Sequence, residues 1–416
     1  MTEAQLLDLL EAQLAQRHSH RVGVAVSGGS DSVALLCLMV RLAEWIDLEP
    51  VAISVDHRLR PEAAGEIKQV IDICGRLGVQ HHIEFWSGWD GQGNLQAAAR
   101  EARYDLIADW AHAHNVATVA LGHTANDQAE TTLMRLARGA GVDGLAAMAP
   151  HRVNRGITWA RPLLGVTRQA LRLYLQERGI PWIEDPSNEN IVFERVRIRQ
   201  ALKLLEPLGV TVTGLARTAE HMRKARQALD WQTFLAARDT VSVRLGAIHI
   251  DMRRYRTLPD EIARRLLVKA IMWIASAPYP PRSASIATAL EAMQGGTAAT
   301  LEGVQIQRVG AAMWLFREHA AVAGLVGEVG DLWDDRWTLD GPEDDPEIQV
   351  RALGEDGVRQ VPSWRETGLP RAAVLSLPGV WVEDELIAAP GLPGEEEWTC
   401  TLEGGPDSFL GSLLSH

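Results

Sequence analysis

Over the first two hundred or so residues, short β-branched runs alternate with longer runs of helical periodicity, and few patterns restrict a fold so tightly. RVGVAV, PVAISVDH, VQHHIEFW and VATVALGH read as strands. The segments that follow them are SVALLCLMVRLAEW, PEAAGEIKQVIDICGRLG, NLQAAAREARYDLIADWAHAHN and NDQAETTLMRLAR, and they repeat apolar residues at helical spacing. Strands separated by helices of that length cannot pair as hairpins. They pair in parallel through crossovers, with helices laid on the faces of the sheet. The pattern predicts an α/β fold built on a doubly wound parallel sheet. In such a sheet ligands settle beyond the carboxyl ends of the strands, where the strand order reverses.

The residues able to carry chemistry fall at that edge. After the first strand comes SGGSDS, residues 27–32. Gly28 and Gly29 permit a positive φ and a close approach of ligand to backbone. Amide groups gathered at a helix N-terminus favour an anion. Ser27, Ser30 and Ser32 add hydroxyl donors, and Asp31 is placed to hold the metal that accompanies polyphosphate. The stretch reads as a phosphate cradle, though not as the Walker loop, because no Gly-Lys-Ser/Thr follows the glycines. A capped, ligand-free turn is the competing reading, and the strand before and helix after weigh against it.

After the second strand, DHRLR offers Asp56, His57 and Arg60, which alone would read as a solvated turn. After the fourth, GHTANDQAET sets His123, Asp127 and Glu130 at i, i+4 and i+7. A helix starting near Asn126 places Asp127 and Glu130 on one face, where two carboxylates suit an ammonium group or Mg²⁺. Helix capping would explain Asp127 by itself. It has no use for His123 at the end of a buried strand.

Arginines supply the rest. Arg100 and Arg103 stand one turn apart in AAAREARYDL, and RLARGAGVDGL combines three glycines with two arginines, one of them Arg138. FERVRIR brings together Arg195, Arg197 and Arg199, and the pair Arg195 and Arg199 shares a helix face suited to phosphate. With 37 arginines and four lysines in the chain, each single arginine counts for less.

The net charge of −13 speaks against a nucleic-acid partner until it is divided along the chain. Residues 1–205 hold 21 basic and 24 acidic side chains (net −3), residues 206–320 hold 15 and 10 (net +5), and residues 321–416 hold 5 and 20 (net −15). The acidity belongs mostly to the tail, and the middle can offer phosphates a basic face. Three segments are expected: an α/β domain over 1–205 that holds these turns, a mostly helical domain over 206–320, and an acidic C-terminal module over 321–416. The tail reads as a small β-rich module or as partly disordered. The N-terminus reads as an amphipathic helix rather than a targeting peptide, and no run is apolar enough to span a bilayer. Cys37, Cys74 and Cys400 are far apart and form no CxxC, which points to a reducing, cytoplasmic setting and away from a structural zinc.

SGGSDS resembles the pyrophosphate loop of the N-type ATP pyrophosphatases, which cleave ATP between the α and β phosphates. DHRLR, AREARY, GHTANDQAET, RLARGAGVDGL, RPLL and EDPSN with FERVRIR, in that order, resemble the tRNA(Ile)-lysidine synthetases over about residues 20–200. The resemblance implies an adenine nucleotide alpha hydrolase-like, Rossmann-like catalytic domain. It implies adenylation by ATP of the C2 oxygen of the wobble cytidine in an isoleucine tRNA bearing a CAU anticodon, then displacement of AMP by the ε-amine of free L-lysine. By that resemblance Ser27, Gly28, Gly29, Ser30, Asp31 and Ser32 bind ATP, with Asp31 a Mg²⁺ ligand. Arg103, His123, Asp127 and Glu130 form the lysine and cytidine site, and Arg195 and Arg199 contact tRNA. The roles of Arg100, His57 and Arg138 are left open, as is the oligomeric state, with a homodimer among the outcomes.

Two departures stand out: Ser187 where relatives commonly carry Thr, and the short acidic tail. Two other readings remain. A tRNA 2-thiolation enzyme on the same fold would need a cysteine pair that the three cysteines do not supply. A non-catalytic nucleotide- or RNA-binding module would not need Asp31, Asp127 and Glu130 intact.

Overall fold

The computed structural model describes residues 1–414 except Gln16, His18, 59–62, 90–92, Asn94, 185–193, 343–346, Glu396 and Pro406. Arg60 of DHRLR and Ser187 of EDPSN lie outside the described residues. By its internal contacts the chain divides into two compact units, Met1–Arg226 and Gln227–Ser415.

In the first unit the described strands form one sheet in the order β3-β2-β1-β4-β6-β5. The strands are β1 (Arg21–Ala25), β2 (Glu49–Asp56), β3 (His81–Phe85), β4 (Thr118–Leu121), β5 (His151–Asn154) and β6 (Ile157–Ala160). The helices are α1 (Glu3–Leu14), α2 (Ser30–Leu42), α3 (Ala63–Leu77), α4 (Leu95–Ala113), α5 (Ala125–Ala137), α6 (Val142–Leu145), α7 (Arg168–Glu177) and α8 (Glu194–Leu205). The expected alternation is present: β1 pairs in parallel with β2 and β4, β2 with β3, and β4 with β6. The hairpin of β5 and β6 adds an antiparallel edge, turning through Arg155 and Gly156, both with positive φ.

The strand side chains alternate between two cores. Val22 and Val24 face a layer containing leucines of α1, α2 and α7, while Val51, Ile53, Val119 and Trp159 face Ile107 and Trp110 of α4. Gly23 is required here, because a Cβ would stand 3.0 Å from Trp110. The strand order reverses between β1 and β4, so the two turns leaving their carboxyl ends meet.

The second unit begins inside the long helix α9 (Val212–Thr240), and α11 (Asp260–Ile274) is tied to it by a buried pair, Arg265 to Asp230 at 2.8 Å. Around α10 (Met252–Tyr255) and α12 (Ser283–Gly295) runs a sheet ordered β7-β8-β11-β10-β9. Its strands are β7 (Val241–Arg244), β8 (Ala247–Asp251), β9 (Ala299–Leu301), β10 (Val304–Val309) and β11 (Ala312–Arg317). The remainder is β-rich, with two further three-stranded sheets between Leu332 and Leu402. Among the described residues no helix is long and apolar enough to cross a membrane.

Candidate active site

The starts of three helices, α2, α5 and α7, converge beyond β1 and β4. SGGSDS leaves β1 and enters α2, with Gly29 as the N-cap. Ser32 Oγ donates to the Gly29 carbonyl at 3.0 Å and accepts from the Ser27 amide at 3.2 Å, which closes the loop on itself. Gly28 sits at φ +84°, and a Cβ there would come within 2.3 Å of Ile183 Cδ1, while its carbonyl accepts from the Ile183 amide at 2.8 Å. Its bare face is thus taken by protein. At Gly29, by contrast, the nearest atom to an added Cβ is Ser27 Oγ at 3.8 Å, so this face is the open one. Gly122, at the end of β4, brings the second turn against the first: a Cβ would stand 3.0 Å from the backbone of Ser32.

Helix α5 begins at that second turn. Thr124 and Asp127 form a capping box, in which Asp127 Oδ2 accepts from the Thr124 amide and hydroxyl, each at 2.9 Å. Capping therefore occupies one oxygen of Asp127 and leaves Oδ1. Arg168 reaches that side from the first position of α7, 3.7 Å from Asp127 Oδ1, and donates through Nε to Asp31 Oδ2 at 2.7 Å. Glu130, one turn on, is buried; its Oε1 accepts from Arg199 Nε at 2.6 Å, and among the described residues its Oε2 has no hydrogen-bond partner.

Burial pushes the carboxyl of Glu130 up, and the neighbouring Asp127 charge adds to this against the pull of Arg199. Burial likewise raises Asp31, with Arg168 opposing. Burial works against Asp127 as well, but the Arg168 charge and the Thr124 hydrogen bonds outweigh it and hold its carboxyl below the ordinary range. His123 is pushed down to about 3, first by burial, which outweighs the Asp127 charge, and then by Arg161, Arg100 and Arg103, so its imidazole is neutral, and among the described residues its Nδ1 has no hydrogen-bond partner.

Those arginines make a second wall. Arg103 is half-buried, and burial lowers its guanidinium pKa, with Tyr104, Arg100 and Arg195 among the charges acting on it. Tyr104 packs edge-on against Trp159 at 4.6 Å, and Arg100 and Arg161 lower its hydroxyl against the upward push of burial. Burial lowers the pKa of His57, and the charge of nearby Arg103 adds to that against Asp56.

Of the other expected residues, Arg195 is exposed on α8, whereas Arg199 turns inward to Glu130. Arg138 pairs with Glu194, and Arg135 donates to the carbonyls of Gly144 and Ala147, which folds the glycine-rich loop onto its own helix. Arg168 is absent from the sequence expectations, and Arg161 and Tyr104 enter them only within RPLL and AREARY, without a role. One signal for Arg168 was present: a cation at the first position of a helix opposes the macrodipole and calls for a nearby anion.

With this geometry in place, the comparisons with known proteins are specific. Residues 2–205 match the model of the PP-loop domain. The tRNA(Ile)-lysidine synthase of Ruegeria pomeroyi is 48% identical over 411 residues, covering 99% of this chain and 98% of that protein. That of Wolbachia pipientis is 37% identical over 331 residues, 77% of each chain, and that of Zymomonas mobilis is 37% identical over 268 residues, 64% of this chain and 79% of that one.

Proposed function

We infer the function from one premise: this chain belongs to the tRNA(Ile)-lysidine synthase family. It ligates free L-lysine to C2 of the wobble cytidine of an isoleucine tRNA with a CAU anticodon, and ATP is cleaved to AMP and pyrophosphate. The cytidine C2 oxygen bonds to the α-phosphorus and pyrophosphate departs. The lysine ε-amine then bonds to C2, the C2–O bond breaks, AMP leaves with that oxygen, and the nitrogen gives up a proton.

The observation that carries this reading is Glu130 Oε2, a buried carboxylate oxygen without a hydrogen-bond partner among the described residues, near the Asp127 charge. A cationic amine is the ligand such a pair lacks. Glu130, with its raised pKa, is the better proton acceptor of the two. The neutral imidazole of His123 suits a hydrogen bond to the base rather than an ion pair. Half-buried Arg103 and buried Arg161 would face the departing adenylate phosphate.

For the nucleotide, the open face of Gly29 and the start of α2 form the phosphate seat. Among the described residues no three metal-ligating side chains cluster, so the donor set fits an ion that arrives with polyphosphate rather than a resident one. Asp31 would hold Mg²⁺ together with the phosphates, and the ion would neutralise charge on the leaving pyrophosphate.

Burial pushes Cys37 up to about 12, Cys74 to about 11 and Cys400 to about 12. Such thiols are poor sulfur carriers, which weighs against 2-thiolation. The reaction belongs in the cytoplasm, where tRNA, ATP and reduced thiols coexist. The deciding assay supplies ATP, Mg²⁺, labelled L-lysine and CAU-anticodon isoleucine tRNA. Label is expected in the tRNA in step with AMP, and incorporation of labelled sulfur instead would reverse the conclusion.

A further inference from the structure

Two carboxylates with different assigned tasks share one guanidinium. Arg168 is hydrogen-bonded to Asp31 at 2.7 Å and stands 3.7 Å from Asp127 Oδ1. Helix formation does not call for it there, since positive charge at the first position of α7 opposes the macrodipole. Its backbone amide is held separately, by Asn126 Oδ1 at 2.9 Å, so the side chain is not needed to fix the start of the helix. Asp127 Oδ2 is committed to Thr124. The oxygen facing Arg168 is therefore the one left for a ligand.

We propose that Arg168 is a positioning residue, a placeholder cation that occupies the space between Asp31 and Asp127 in the nucleotide-free chain and is drawn off by nucleotide phosphates, which frees Asp127 Oδ1 for the amine. The proposal rests on the reading of Asp127 as part of the lysine site. The two contacts are unequal, and the longer one to Asp127 is the weaker. A polyphosphate arriving on the loop adds negative charge on the Asp31 side, so the Asp127 contact yields first. Nucleotide and lysine binding are then positively coupled, and linkage makes the coupling reciprocal.

The test titrates the full chain with L-lysine by calorimetry, alone and with Mg²⁺ and α,β-methylene-ATP, whose α–β bridge cannot be cleaved. The wild-type chain should bind lysine about fivefold or more tightly with the nucleotide analogue present. In Arg168→Gln, lysine should bind the nucleotide-free chain more tightly than it binds the wild type, and the coupling should fall towards one. Arg168→Lys, which keeps the charge, should retain the coupling. Asp31→Asn should act in the opposite direction: Arg168 loses its anchor, settles on Asp127, and lysine binding to the nucleotide-free chain weakens. This second variant decides the matter if Arg168→Gln does not fold. Wild-type coupling in Arg168→Gln, or weaker lysine binding in both variants, would overturn the proposal, because loss of a merely structural contact moves both the same way. Absence of lysine binding by the wild type in either state would instead overturn the functional reading.

Discussion

Asp31, half-buried, and Glu130, fully buried, are both carboxylates next to an arginine, yet their removal should have different consequences. Burial already opposes the charge of Asp31, so its loss costs the fold little. Asp31→Ala should therefore lower AMP and pyrophosphate formation by about a hundredfold or more while the thermal melt stays close to wild type. Wild-type turnover would remove Asp31 from the nucleotide site. Glu130 has a pKa above the ordinary carboxylate range. Between the ordinary and the raised value the folded chain keeps a proton that the unfolded chain has lost. From this group alone, stability rises as pH falls through that window. Over the same window the charge that would hold an amine disappears. Lysine use should thus decline on the acid side at a higher pH than an exposed glutamate would give. Glu130→Gln should weaken lysine use by about tenfold or more and abolish that acid limb. The check is lysine KM against pH for both proteins, and an acid limb that survives in the variant would show that another group sets it.

At the scale of elements, the site depends on how closely two turns approach. Gly122 and Gly29 lie in these turns, but only one of them is packed against protein. A methyl at Gly122 meets the backbone of Ser32 and Asp31 at 3.0–3.1 Å, where backbone must shift. Gly122→Ala should cost about 1–3 kcal/mol of stability and raise the ATP KM together with it. Gly29 has φ −68° and open space, so Gly29→Ala should cost no more than about 1 kcal/mol, the difference between glycine and alanine at an N-cap. It should nonetheless raise the ATP KM several-fold, because the methyl would enter the phosphate seat. Thermal melts and ATP titrations of the two variants separate packing from ligand contact. An unchanged ATP KM in Gly29→Ala would mean the open face is not the seat.

For the whole molecule, charge and packing give the tail different characters. Its composition, 5 basic against 20 acidic residues, sets it against a phosphate backbone. Its packing makes it part of the second unit. Phe409 and Leu413 are buried in the same cluster as Leu266 and Ile271 of α11, and Trp273 Nε1 donates to Ser408 Oγ at 3.0 Å. Buried Arg336 donates to the Gly246 carbonyl at 2.7 Å and lies 5.1 Å from the Trp273 ring. Cutting the chain near residue 325 would open that cluster and also the one in which Trp314 and Phe316 of β11 are buried with Val350 and Val380, so the tail's part in tRNA binding is better tested by charge than by truncation. Glu383, Asp384 and Glu385 are exposed together. The triple change Glu383→Gln, Asp384→Asn, Glu385→Gln should leave tRNA affinity equal or higher, with the salt slope undiminished. A clear loss of affinity would mean these acids hold a contact that their charge conceals.

Read alone, the sequence determined the parallel sheet, the edge at which the site lies, and the residue types in both turns. Those features follow from period, spacing and backbone chemistry, which are local. It also placed Asp127 and Glu130 on one helix face, since α5 starts within a residue of the expected position. The β5–β6 edge escaped it because four-residue strands carry too little pattern to distinguish from loop. Partnership escaped it as well. Arg199 reads as a phosphate ligand on its own helix, and only the packing of α8 on α5 turns it to Glu130, 69 positions away. Arg168 and Asp31 are 137 positions apart, and their contact exists because α7 and α2 start at the same edge of the sheet. Which oxygen of Asp127 caps a helix and which is left for a ligand, and which glycine faces protein and which faces space, depend on what stands opposite. That was decided by the tertiary structure, because burial and charge act across distances in space to which the order of residues along the chain is blind.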